Sequence, residues 1–414
     1  MWKSVPLNQI CDLQNGYAFK SKDYIEFSNT MSCRMSNIRP GGKFDIDYNP
    51  RYLPDNFKDK YPQYVLNDSD VVIAMTDLAG LPKILGVPTV INTENRTILL
   101  NQRVGKLLII DPELVYFGYL KFALSEPRIR KYYQKFAGGG LQINLGKEDL
   151  LSVEIPLPPL PVQKQIAAVL EKADTLRQQC QQMEQELNAL AQSVFLDMFG
   201  DPVANPNGWK KKQVKDLVKD FQGGKSLAAS EDAEGSGVNR VLKISAVTLG
   251  EFKPEESKPL PNDYNPPLEH FVRVNDLLFS RANTTELVGA TSLVFKTPKN
   301  VLLPDKLWRF VWHDSTSISQ IFYWQLFSNK AIRVELGKIS SGSGGSMKNI
   351  SKGKLNELEV LCPPFELQQK FELIYLEIRS QQQLALSKLA ALNDTFNSLM
   401  QRAFKGELEL KGVA

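Results

Sequence analysis

Two stretches of the chain space their apolar residues in alternating steps of three and four, the pattern of a helix with a single apolar stripe. After Pro161 the row runs Ile166, Val169, Ala173, Leu176, Cys180, Met183, Leu187, Leu190 and Val194. After Pro364 it runs Phe371, Tyr375, Ile378, Gln382, Ala385, Leu389, Leu392, Phe396, Leu399 and Ala403, with Gln382 breaking the apolar row. Each stretch predicts a helix of about 40 residues, roughly 55–60 Å long at 1.5 Å rise per residue. One long helix cannot bury such a stripe alone, so the two are expected to pair antiparallel as a coiled coil. Val169, Leu176, Met183, Leu187 and Leu190, with Ile378, Leu389, Leu392 and Phe396, are the expected spacer contacts. In the competing arrangement each helix packs on its own globular part. Pro-Pro pairs at 158–159 and 363–364 end the preceding strands and preset φ for the helix starts.

These helices close two copies of one pattern, about 205 residues apart. The first copy opens on Trp2-Lys3, passes Asp70-Val71-Val72-Ile73, reaches IPLPPLPVQKQI at 155–166 and closes on SVFLDMFGD. The second opens on Trp209-Lys210, passes Asp276-Leu277-Leu278-Phe279, reaches VLCPPFELQQKF at 360–371 and closes on SLMQRAFKGEL. RMSNIRPGGKF (34–44) aligns with LKISAVTLGEF (242–252): apolar positions match, while most polar ones differ. A duplicated scaffold with two divergent surfaces is expected to recognise two different things at a fixed separation.

Short β-like runs (SDVVIAM, VGKLLII, DLLFSRA, KLWRFVW) with Gly, Pro and Asn punctuation give an α+β class. Each copy also holds one predicted helix, YFGYLKFALSEPRIRKYYQKF in the first and SISQIFYWQLFSNKAIRVEL in the second. The expected domains are 1–158 and 201–363, two recognition domains, with helices at 159–200 and 364–414. At 414 residues each half is long enough to bury its own core. A net charge of +4 permits a nucleic-acid partner without demanding one. Cys11, Cys33, Cys180 and Cys362 form no C-x-x-C pair, and no stretch reads as a signal peptide or membrane span. A cytoplasmic protein with free thiols and no membrane contact is expected.

No catalytic constellation stands out. Asn265-Pro266-Pro267-Leu268 resembles the loop of amino-methyltransferases, which puts an aromatic ring where Leu268 stands, and no strand and Gly-rich turn supplies a cofactor pocket. Gly224-Lys225-Ser226 would need a leading glycine where Lys219 stands. His270 and His313 lie in no metal spacing, and no metal site is expected.

Binding chemistry remains. Tyr17 and Lys20 follow a Gly turn; Arg34, Asn37, Arg39 and Lys43 surround Gly41-Gly42; Thr76 follows the Asp70 run. Lys121, Arg128, Arg130, Lys131 and Lys135 interleave with Phe122, Tyr132, Tyr133 and Phe136, before a Gly-rich loop presenting Gln142 and Asn144. The second copy offers Lys225, Lys243, Ser245, Arg281, Asn283, Thr284, Arg333 and Lys338, then Ser343, Ser346 and Lys348 in SSGSGGSMKN. Arg and Lys reach phosphates and guanine edges, and Asn and Gln pair bidentately with adenine. These sets recur at equivalent places in both copies.

With the repeat, the helices and the Pro-Pro-x-x-x-Gln junctions in hand, the chain resembles the specificity subunit of a Type I restriction–modification system. The resemblance spans nearly the whole chain and includes LQNGYAF and FQGGKSL, the Gly/Ser loops at 138–140 and 341–346, and the helix ends. It implies two target-recognition domains, each reading half of a bipartite site in double-stranded DNA, with the helices as spacer. It implies two methyltransferase subunits docked on the conserved regions, and restriction subunits that translocate DNA. S-adenosylmethionine, ATP and Mg would act in those partners, and this chain would be a non-catalytic subunit. The family's usual acidic residue before the junction Gln is Val162 in one copy and Leu367 in the other. Other readings are a coiled-coil scaffold that binds no DNA, a divergent adenine methyltransferase using the NPPL turn, and a specificity subunit lacking a nuclease partner.

Overall fold

The computed structural model describes residues 2–78, 82–136, 141–226, 238–248, 250–342 and 347–409. The chain divides into two compact units, Met1–Cys180 with Lys388–Ala414, and Gln181–Ser387. Each unit holds one copy's globular part together with half of each long helix.

In the first unit an antiparallel sheet orders Cys11–Asn15, Val104–Ile109, Val71–Ala74 and Pro88–Val90. A second sheet orders Tyr52–Leu53, Thr30–Cys33, Thr97–Leu100 and Val65–Leu66, its inner pair parallel. Val71–Ala74 is buried throughout, so its sequence is a continuous apolar run rather than an alternation. Asp70, just before it, pairs at 2.7 Å with Lys106 on the neighbouring strand. Ser4–Pro6 pairs with Glu154–Pro156, and a two-stranded ribbon joins Thr76–Leu78 to Gln142–Asn144.

The second unit repeats this plan. Its main sheet orders Val218–Gln222, Leu307–Trp312, Leu277–Ser280 and Thr291–Leu293; its smaller sheet orders Ser257–Pro259, Arg240–Leu242 and Val301–Leu302. Lys211–Gln213 pairs with Glu359–Leu361, and the ribbon joins Ala282–Asn283 to Lys348–Asn349. Arg309 meets Asp276 at 2.9 Å, at the places of Lys106 and Asp70. Burial pushes the Asp276 carboxyl up, against the opposing pull of the Arg309 charge.

The long helices span Leu160–Phe199 and Phe365–Lys405. In the first unit Ile166, Ala167 and Leu170 pack with Met400, Ala403 and Phe404. In the second, Ala191, Phe195 and Phe199 pack with Phe371, Tyr375 and Ile378. The start of one helix therefore meets the end of the other, and the pairing is antiparallel. Gln382, the polar break in the apolar row, donates to Asn188 Oδ1 at 2.9 Å.

The seam departs from the expected one. Val169, Leu176, Met183 and Leu190 are 36%, 43%, 49% and 45% exposed. The inward row steps from Ile166 to Leu170 and continues through Arg177, Glu184 and Ala191, all buried or half-buried. Its middle is polar, with the Arg177 guanidinium 4.3 Å from the Phe396 ring centroid, so counting apolar residues selects the adjacent row. Ile378 is buried, and Leu187, Leu389, Leu392 and Phe396 are half-buried. The two shorter helices also each break in two. Phe117–Leu124 is followed by Pro127–Gln134, because Glu126 before Pro127 is extended. Gln320–Ser328 is followed by Lys330–Ile339, because Asn329 is extended and caps Ala331 N–H at 2.8 Å.

Both junction glutamines are buried braces. Gln163 accepts from Tyr116 N–H at 2.9 Å and donates to the carbonyls of Leu114 and Pro158 at 3.0 and 2.8 Å. Gln368 accepts from Ser319 N–H at 3.0 Å and donates to Pro363 at 2.9 Å. The tryptophans that open the copies match as well. Trp2 Nε1–H donates to Ala403 and Trp209 Nε1–H to Phe199, both at 3.0 Å, filling carbonyls left over in the last turn of each long helix.

Candidate nucleic-acid interface

In the first unit the ribbon brings three of the expected residues together. Thr76 pairs in register with Asn144, and its hydroxyl donates to Asn144 Oδ1 at 2.8 Å, leaving the Asn144 amide N–H groups outward. Gln142 is exposed, opposite Leu78. Leu78 and Leu141 are 61% and 91% exposed, which places apolar surface suited to thymine methyl groups beside amide side chains suited to adenine. Below the ribbon Asp77, 6% exposed, accepts backbone N–H bonds from Leu78, Lys83, Ile84 and Leu85. Sequence reasoning passed over Asp77. Its signal is position: Asp77 and Asn283 both stand seven residues after the Asp that opens the central run.

Other expected residues divide by orientation. Asn37 is turned inward: it accepts from Arg34 N–H at 2.9 Å and donates to Asp45 and Tyr48 carbonyls at 3.1 and 3.2 Å, holding the turn rather than facing a base. Arg39 stacks on Tyr48 at 3.6 Å, Lys43 is exposed on the same turn, and Arg34 is half-buried. Tyr17 joins an aromatic cluster with Phe19, Tyr61 and Tyr64, and Lys20 is exposed beside it. Phe122 and Tyr133 are core and not free to stack on bases, whereas Tyr132 and Phe136 are half-buried.

In the second unit Asn283 and Lys348 face each other in register on the ribbon, and Thr284 is exposed at its end. Arg281 donates to the Asp305 carbonyl at 2.9 Å and lies 5.5 Å from the Trp308 ring centroid. The Asp305 carboxylate also accepts from Ser226, tying the Gly223–Lys225 turn, with Lys225 exposed, to the base of the ribbon. Lys243 and Ser245 share Glu256, at 3.8 and 2.8 Å. Ser343 and Ser346 lie outside the described residues. Asn265 and Leu268 of the NPPL turn are exposed on a surface loop. Among the described residues no His/Cys/Asp/Glu group is arranged to hold a metal, and no helix is long and apolar enough to cross a membrane.

The two ribbons thus occupy one place in a common scaffold and carry different polar side chains. Known proteins share both scaffold and sequence. Residues 1–189 match the family described as Type I restriction modification DNA specificity domain. The chain is 24% identical over 432 residues to the Type I restriction enzyme EcoKI specificity subunit of Escherichia coli (strain K12), covering 98% of this chain and 89% of that one. It is 30% identical over 171 residues to the EcoEI specificity subunit of Escherichia coli, covering 41% of this chain and 28% of that one. The S subunit of a Type I restriction–modification system from M. genitalium has the same fold, with a TM-score of 0.60 at 13% identity over 98% of this chain and 96% of that one.

Proposed function

We propose, from its similarity to Type I restriction–modification specificity subunits, that the chain is such a subunit and reads a bipartite site in double-stranded DNA, one half with each unit. The duplicated ribbon carries this reading. Gln142 and Asn144 in one copy, and Asn283 and Lys348 in the other, stand on the strands of equivalent ribbons, Asn283 and Lys348 at the places of Asp77 and Ile143. One ribbon build with unlike chemistry gives two readers and two preferences. Exposed Lys20, Lys43, Lys225 and Lys243 supply cations for phosphates, which position a reader without specifying sequence.

In the same proposal the long helices are a spacer of roughly 60 Å, so the unspecified gap between half-sites is a geometric property of the chain. Methyltransferase and restriction subunits dock on the parts the two copies share and bring S-adenosylmethionine, ATP and Mg, and this chain contributes recognition alone. The test is a base-resolution map of adenine methylation in host DNA with the gene intact and deleted. A two-part motif with a constant gap, lost on deletion, is the expected result. Unchanged methylation would count against the reading and shift attention to the scaffold alternative.

A further inference from the structure

Arg130 on Pro127–Gln134 and Arg333 on Lys330–Ile339 occupy the same place in the two copies. Arg130 Nη2 donates to the Lys83 carbonyl at 2.8 Å, and Arg333 Nη2 to the Glu286 carbonyl at 2.9 Å. Both carbonyls lie on the limb that leaves the ribbon strand and returns to the main sheet. Each limb ends on a glycine in the left-handed region, Gly86 at φ 67° and Gly289 at φ 78°. These glycines abut the same helix: a Cβ on Gly86 would collide with the Tyr133 ring, and one on Gly289 would lie 3.0 Å from Leu336 Cδ1. The spacing of Lys83, Gly86, Arg130 and Tyr133 recurs unchanged in Glu286, Gly289, Arg333 and Leu336.

Among the described residues neither arginine has a carboxylate partner, and Arg333 Nη1 is buried without any hydrogen-bond partner. Both side chains are half-buried, and a charge held there by carbonyls alone gains less than one paired with a carboxylate. What the arginine does, and an apolar residue cannot, is fix the limb. In the first copy the limb is held from its other side by Asp77, whose carboxylate takes the N–H groups of Lys83, Ile84 and Leu85. In the second, Leu287 and Val288 N–H groups close onto the Thr284 carbonyl at 3.1 and 2.9 Å. In both, the clamped limb follows in sequence the ribbon strand Thr76–Leu78 or Ala282–Asn283, which pairs with the strand of Gln142 and Asn144 or of Lys348.

We infer that Arg130 and Arg333 are positioning residues of the two readers, each clamping the limb that sets where its ribbon stands, and not phosphate contacts. The inference rests on the DNA-reading function proposed above. The test uses the full chain assembled with its methyltransferase subunits, duplexes carrying the mapped target, and the variants Arg130→Gln and Arg333→Gln. Each variant is expected to lose about tenfold or more in discrimination at one half-site, a different half for each, with the salt dependence of binding unchanged. A phosphate contact would instead lower the log–log salt slope by about 0.9 and leave discrimination intact, and that result overturns the inference.

Amide exchange on the same variants reads the clamp directly. Residues 83–86 in R130Q and 286–289 in R333Q are expected to exchange about tenfold faster or more, while Val71–Ala74 and Leu277–Ser280 stay protected. Unchanged exchange in the limbs, or loss of protection in the sheets, overturns it as well. If the wild-type assembly prefers no bipartite site, the DNA-reading function falls, and the exchange result alone decides whether the clamp exists.

Discussion

Gln368 accepts the backbone N–H of Ser319 at 3.0 Å, across a sequence separation of 49 residues, and Gln163 does the same for Tyr116. The junction motif is thus a brace between the start of a long helix and the start of a domain helix. Gln163 and Gln368 are 0% and 1% exposed, so truncation strands buried groups with no water to replace the lost partner. Gln163→Ala and Gln368→Ala are each expected to destabilise the protein by about 1–3 kcal/mol per stranded group, read as a fall in urea midpoint. A midpoint equal to wild type would mean the loops relax to water.

The tryptophan contacts give a smaller effect. Trp2→Phe and Trp209→Phe keep an aromatic ring but remove the indole N–H and part of the ring volume, each with an expected cost of about 1 kcal/mol for the hydrogen bond plus the lost packing. Thermal melts of the two variants should shift by similar amounts. A large difference would show that the two helix ends are not held equivalently.

Asn144→Ala and Lys348→Ala test the readers one at a time. Each is expected to relax the sequence preference of a single half-site by about 1–3 kcal/mol, measured as the change in methylation-site frequencies. Equal loss at both halves from either variant would count against separate reading by the two units.

Removing four residues between 176 and 190 shortens the central helix by roughly 6 Å and turns its remainder by about 40°. Under the spacer proposal the recognised gap changes or recognition is abolished, while the half-site sequences stay as they were. An unchanged gap in the methylation map would rule out the helix as ruler.

Thiol chemistry separates the four cysteines. Burial pushes the Cys11 and Cys33 thiols up to about 12, so both remain protonated, and unreactive, through neutral and mildly alkaline pH. Their thiolates form only as pH climbs toward that value. Cys180 and Cys362 are half-buried. Iodoacetamide at pH 8 is expected to alkylate Cys180 and Cys362 in the native protein and to spare Cys11 and Cys33, as read by peptide mass spectrometry. Labelling of Cys33 without denaturant would show that its sheet opens locally.

The duplication, the α+β class and the antiparallel helices were legible because each leaves a periodic mark: repeated anchors, buried apolar runs, Pro-Pro starts. The phase of the helix pairing was not. Arg177 and Glu184 sit in the contact row, and a long side chain can cover a partner helix with its stem while its charge stays wet, so hydropathy reads them as surface. The helix breaks at Pro127 and Asn329 were visible as residues, yet apolar periodicity continues across them. Asn37 shows the limit for the site. Its amide chemistry suits an adenine edge and a backbone turn equally, and only the positions of the Asp45 and Tyr48 carbonyls decide between them.

The internal braces (Gln163 and Gln368, the Asp70–Lys106 and Asp276–Arg309 pairs) share no residue with the ribbon positions Gln142, Asn144 and Lys348. Stability and preference are therefore written in separate letters. Under the proposed function, substitutions at the ribbon can accumulate without spending the fold's small margin, which leaves such a chain free to change what it reads faster than it changes what it is.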